Sequence, residues 1–236
     1  MDHFVHIRST GDNTTGLWRA PVLKVTTDVV CKSCNGIWLS DFENLAFKPI
    51  ATPLILDEGG DIITPKEQWT LAAWAYKMAL LLEVAAPAEE RRQTFTAAER
   101  KQFRVTTLAN EHVRIFLAKY ETGKTPAHAQ MRVHTLRRRD DGVSFQLKIT
   151  TLTAGALAMQ AIAVRYVATG ELAYAVSELE FALLGRSKTA LAQIWPAPTE
   201  AVRWPSLEHM SQDDIEDWTN MWETAQGFHP VASVAN

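Results

Sequence analysis

The chain has 236 residues, with 24 Lys and Arg against 27 Asp and Glu and a formal net charge of −3. Apolar residues at 47% suffice for one large core, or for a small module beside a larger domain. No stretch reaches the roughly 18 uninterrupted apolar residues of a membrane span, and Asp2, His3 and Arg8 exclude the basic-then-apolar layout of a secretion signal. A cytoplasmic protein without a membrane partner is expected. Mild acidity gives no general attraction to phosphate backbones, so a nucleic-acid role requires a local basic face.

In chain order, β-like pieces at Phe4 to Ile7 and Val22 to Val25 flank a Gly, Asn and Thr-rich loop from Ser9 to Gly16. Next comes Cys31-Lys32-Ser33-Cys34-Asn35-Gly36-Ile37-Trp38, which leads into an amphipathic helix with Trp38, Leu39, Phe42, Leu45 and Ala46 on one side. Pro49 is expected to end that helix, and Asp41 and Glu43 read as surface charge. A Cys-x-x-Cys pair at a helix entrance can aim two thiolates at one tetrahedral metal, but it supplies only half of a zinc site. His3 and His6 could complete that site with Cys31 and Cys34. A redox pair or free thiols are the other uses of two cysteines spaced this closely.

The run Cys31-x-x-Cys34-Asn35-Gly36 with Trp38 resembles the closing half of the HNH-type, treble-clef (ββα-metal) endonuclease motif in its bacterial and phage branch. Asp2-His3-Phe4-Val5 is similar to the family's upstream acidic-His strand. The resemblance implies that His3 is the general base, that Asp2 and Asn35 hold one Mg²⁺ or Mn²⁺, and that the substrate is nucleic acid, with DNA ahead of RNA. Zinc-bearing members carry an earlier Cys-x-x-Cys that this sequence lacks. The family's asparagine before the first cysteine is also replaced, here by Thr26. The likeness is therefore to an N-terminally truncated or degenerate member. A metal-free remnant that binds nucleic acid or a host protein, as a phage or mobile-element factor, is the alternative.

Beyond Pro53 to Leu56, the acidic and glycine-rich run Asp57 to Asp61 reads as a turn. Thr64-Pro65-Lys66-Glu67 is a capping signal for a helix running to about Val84, apolar almost all round. Its Trp69, Trp74 and Tyr76 are expected in the core, and Lys77 along the core edge. Thr96 to Glu99 opens a second, short helix ending near Phe103. From Val113 the period becomes two, through Met131 to Leu136 and Val143 to Ile149, which predicts an antiparallel sheet with one solvated face.

Arg132, His134, Arg137, Arg138 and Arg139 are the candidate nucleic-acid patch, with a solvated strand end balanced by Asp140 and Asp141 as the other reading. Thr151 to Val167 fits either a strand pair bent at Gly155 or a buried helix, and Glu178 to Leu184 a further strand. Ser211 can cap a last helix over about 211–224, carrying Ile215, Trp218, Met221 and Trp222. Residues after Gly227 read as a loose tail. The expected architecture is α+β: a ββα treble-clef-like module over 1–50, then an α+β domain over 51–236. That domain comprises a helical layer at 64–103, an antiparallel sheet at about 112–185 and the C-terminal helix.

Overall fold

The computed structural model describes residues 4–10, 13–20, 34–58, 62–85, 94–121, 128–138, 142–166, 190–196, 200–204, 207–220 and 228–230. The architecture is α+β. A β-hairpin, β1 (Phe4–Thr10) and β2 (Asn13–Ala20), comes first. The expected loop from Ser9 to Gly16 is therefore mostly strand, because Thr14, Thr15, Leu17 and Trp18 suit a pleated ribbon better than their Gly and Asn neighbours suit a loop. Val22 to Val25 lies outside the described residues.

A continuous helical stretch follows, π-helical over Cys34–Leu39 and Phe42–Phe47 and α-helical in α1 (Lys48–Ile55). Pro49 does not stop it. The residue stands where the second π segment gives way to α1, so the chain changes helical register at the position that has no N–H to donate. The π turns shift the phase of the stretch, so Leu39 and Phe47 are buried while Leu45, expected on the apolar side, is 77% exposed. The stop comes at Asp57, whose left-handed φ of 56° lets the Glu58 N–H donate back to the Pro53 carbonyl at 2.8 Å.

The long helix α2 (Pro65–Ala85) starts as its capping box predicts. The Thr64 N–H donates to the Glu67 carboxylate at 2.7 Å, and the Glu67 N–H donates to the Thr64 hydroxyl at 3.3 Å. Helix α3 (Ala97–Thr106) repeats the box with Thr96 and Glu99, runs one turn past Phe103 and closes on left-handed Thr107. Each box contributes on the order of 1 kcal/mol. Tyr76 packs edge-on against Phe95 and Phe103, which locks the two helices together.

The sheet comprises β3 (Arg114–Tyr120), β4 (His128–Arg138), β5 (Ser144–Ala154), β6 (Leu157–Tyr166), β7 (Leu191–Trp195), β8 (His209–Met210) and β9 (Phe228–Pro230). Its order is β7-β3-β6-β5-β4-β9, antiparallel throughout, with β8 added parallel to the end of β3. Thr151 to Val167 is thus not a helix. Its first residues finish β5 and the rest form β6, turning at Gly155 with φ 53°. A side chain at Gly155 would meet the Ile55 carbonyl oxygen at 2.1 Å, so only glycine lets α1 dock on this hairpin. Phe228–Pro230, expected in a loose tail, pairs with β4, while Glu178 to Leu184 lies outside the described residues.

The prediction of one solvated face fails. Nearly every residue of β5 and β6 is buried, because helices cover both sides. Ile115, Leu117, Met159 and Ala161 face α1, α2 and α3, while Phe116, Ile149, Ile162 and Val164 face Ile215 and Trp218 of α4 (Gln212–Asn220). Ser211 caps α4 through Asp214. Met221 and Trp222 lie outside the described residues. No helix among the described residues is long and apolar enough to cross a membrane.

Candidate functional site

Asp2, His3, Cys31 and Arg139 lie outside the described residues, and His6, Cys34, Asn35 and Arg138 are described in backbone only. The backbone places His6 opposite Trp18 in the hairpin. Cys34 and Asn35 open the π-helical entrance to the helical stretch. Among the described residues no group of three His, Cys, Asp or Glu is placed to hold a metal ion.

The basic patch is divided by the pleat of β4. Arg132 and His134 stand opposite Ile149 and Leu147, hence on the α4 side, whereas Arg137 stands opposite Ser144 on the other. Arg137 is exposed, and its Nε donates to the Gly142 carbonyl at 3.0 Å, which braces the β4–β5 turn. The hairpin strand β1 runs close beside β4, so the N-terminal unit and this basic strand are neighbours.

The side of the sheet under α2 and α3 holds groups that sequence reading passed over. Glu83 and Lys148 form an ion pair with both side chains almost fully buried. The Glu83 carboxylate also accepts the Thr94 N–H at 2.8 Å and the Phe95 N–H at 3.1 Å, so it fixes the start of the segment leading into α3. Burial pushes the Lys148 ammonium down to about 8, and the nearby Glu83 charge only partly offsets it. Glu43 is not idle surface charge. It pairs with buried Lys77 and accepts the Trp74 indole N–H at 3.3 Å, which ties the π-helical stretch to α2. Burial lowers the Lys77 pKa despite Glu43. At the far end of β3, Lys119 meets Asp57 at 2.8 Å, and its hydrogen bond holds the Asp57 carboxyl below the usual carboxylate range.

A cleft of about 480 Å³ opens between α2, α3, the connection to β3, and β7. Tyr76, Glu99, Phe103, Asn110, His112 and Trp195 are among its lining residues. Arg165 holds the Glu99 carboxylate at 2.9 Å, and the Trp195 indole N–H donates to the Asn110 carbonyl at 2.8 Å, so both side chains are fixed in place. The Tyr76 hydroxyl is buried, with no hydrogen-bond partner among the described residues. The sequence places Tyr76 in an apolar helix, which signals core packing, and the structure buries it there.

No protein-family model matches the chain, and no significant match is found among curated proteins or solved structures.

Proposed function

We propose that the protein is an HNH-endonuclease relative that acts on nucleic acid, DNA ahead of RNA, by metal-assisted phosphodiester hydrolysis. The observation that supports this reading is the element order at the N-terminus. A β-hairpin is followed by a helical stretch that begins at Cys34, with Asn35 in its first turn, as a ββα unit requires. The nearness of β1 to β4 adds a second support, since β4 carries Arg132, His134 and Arg137 and can extend the surface along a phosphate backbone.

In this reading the oxygen donors of Asp2 and Asn35 suit a hard divalent cation. A bound Mg²⁺ or Mn²⁺ would supply charge stabilisation at the phosphate oxygens. His3 takes the proton from the attacking water, a role that requires it neutral and outside any zinc ligand set. The donor set His3, His6, Cys31 and Cys34 suits Zn²⁺ chemically, but it uses up that base, so the two sites exclude one another.

Nicking of supercoiled plasmid tests the reading. Cleavage by the full chain with Mg²⁺ or Mn²⁺, abolished in His3→Ala, is expected. Equal cleavage by both proteins would remove His3 as the base. Salt-dependent DNA binding without turnover would instead support a catalytically inactive, phage or mobile-element binding protein that uses the β4 cations. Absence of any nucleic-acid binding would move the alternative to a host-protein partner.

A further inference from the structure

We propose that Asn35 is a site of spontaneous modification: its amide is lost through a ring closed onto the Gly36 nitrogen, and the entrance of the helical stretch gains a negative charge as the protein ages. The chain has six asparagines, and only Asn35 precedes a glycine. A glycine leaves its nitrogen unshielded and its backbone free to turn into such a ring. Gly36 is exposed, no atom of the described residues lies within 4 Å of the place a Cβ would take, and Ile37 beside it is 64% exposed. Water and hydroxide therefore reach the peptide bond between Asn35 and Gly36.

The step balances with water as the only reagent. The Gly36 nitrogen bonds to the side-chain carbonyl carbon of Asn35, the carbon–nitrogen bond of the amide breaks, and ammonia leaves with the Gly36 proton. Water then opens either carbon–nitrogen bond of the ring, which gives aspartate or isoaspartate. A helix ordinarily opposes the closure, because it fixes the backbone between the two residues. Here both stand in the first turn, one and two places after Cys34, where N–H groups have no acceptor within the helix and the end opens at little cost. The two other asparagines with described side chains are held. Asn44 donates to the Ser40 hydroxyl at 3.1 Å and accepts from Lys48 at 2.7 Å, with Leu45 next in the chain. Asn110 donates to Glu99 at 3.4 Å, accepts the His112 N–H at 2.9 Å and precedes Glu111. In the metal-dependent reading Asn35 is a ligand, so conversion alters that position, but the modification itself does not rest on that reading.

Incubation of the folded full chain in mildly alkaline buffer without metal, followed by peptide mass spectrometry with fragmentation, tests the proposal. The mass gain of an amide-to-acid conversion is expected at Asn35 at least about tenfold faster than at Asn44 or Asn110, whose amides must first give up two hydrogen bonds. Gly36→Ala, whose Cβ meets open space, is expected to keep the circular dichroism spectrum and to slow the gain at Asn35 by about tenfold. In the urea-unfolded chain the rate at Asn35 is expected to rise by no more than about tenfold, because the end of the helical stretch already frays. The proposal is overturned if Asn35 converts no faster than Asn44 and Asn110, if Gly36→Ala converts as fast as the unaltered chain, or if unfolding accelerates Asn35 beyond that limit. Each readout is a mass, so its failure is separate from a failure to bind metal.

Discussion

The two faces of the sheet are buried to similar degrees yet are held by different physics. Under α2 and α3 the apolar layer is interrupted by charges, Lys148 with Glu83 and Arg165 with Glu99, each drawn out of water and matched by a partner. Under α4 the fully buried polar side chains among the described residues, such as Thr151, Gln160 and Thr219, are neutral, while Arg132 and His134 of β4 on that side are only half-buried. Gln160 donates to Thr151 at 3.0 Å, and the Thr219 hydroxyl donates to the Ile215 carbonyl at 2.8 Å. A buried charge without its partner is far costlier than a buried amide or hydroxyl, so the first face tolerates change less even though its ion pairs need add little net stability. That intolerance also fixes geometry: Glu83 and Glu99 hold the segment and helix that form one wall of the cleft.

Removing single partners gives the largest expected contrast. Glu83→Leu is expected to lower unfolding free energy in urea by about 3–5 kcal/mol, since it strands the Lys148 ammonium and two backbone N–H groups. Lys148→Met should cost less, because Glu83 keeps both backbone donors and the Arg100 guanidinium at 3.7 Å. Equal losses would mean that the salt bridge alone, and not the backbone anchoring, carries the effect.

A pH titration sharpens the same contrast at a smaller scale. The folded Lys148 pKa of about 8 lies below the ordinary lysine value of 10.5, so between these limits the unfolded chain binds the extra proton and the folded chain does not. Stability must then rise with pH across that window, by up to about 3 kcal/mol, and be flat from this source below pH 8. Subtracting the same curve for Lys148→Met isolates the contribution, and a falling difference would refute the dominance of burial over the Glu83 charge. The smallest effect is expected on the other face. Gln160→Leu should change stability by less than about 1 kcal/mol, because the Gln160 amide oxygen already lacks a partner among the described residues. A loss as large as that of Glu83→Leu would erase the distinction between the faces.

Much of the scaffold was readable from local chemistry. Thr64 with Glu67, Thr96 with Glu99, and Ser211 announced three helix starts, because capping is decided within four residues. Period-two stretches located β3, β4 and β5. What escaped detection depends on distant partners. The second covering layer hid the alternation in β6, and β9 is too short to signal itself. Glu43 looked like solvent-facing charge until its partner Lys77, 34 positions on, came into view. The ionic pairs had a faint signature, lone charges such as Lys77, Glu83 and Lys148 inside apolar runs, which seldom stay buried unpaired. The cleft had none, because its walls come from residues as far apart as Tyr76 and Trp195. The Cys31-x-x-Cys34-Asn35 motif is the reverse case, explicit in sequence and lacking described side chains.

Equilibrium binding of Mn²⁺ to the full chain, read by electron paramagnetic resonance, tests the metal-dependent reading most directly. One ion per chain is expected, with occupancy lost in both Asp2→Ala and Asn35→Ala while the fold stays intact by circular dichroism. Undiminished Mn²⁺ binding in either variant, or none in the unaltered protein, would contradict it.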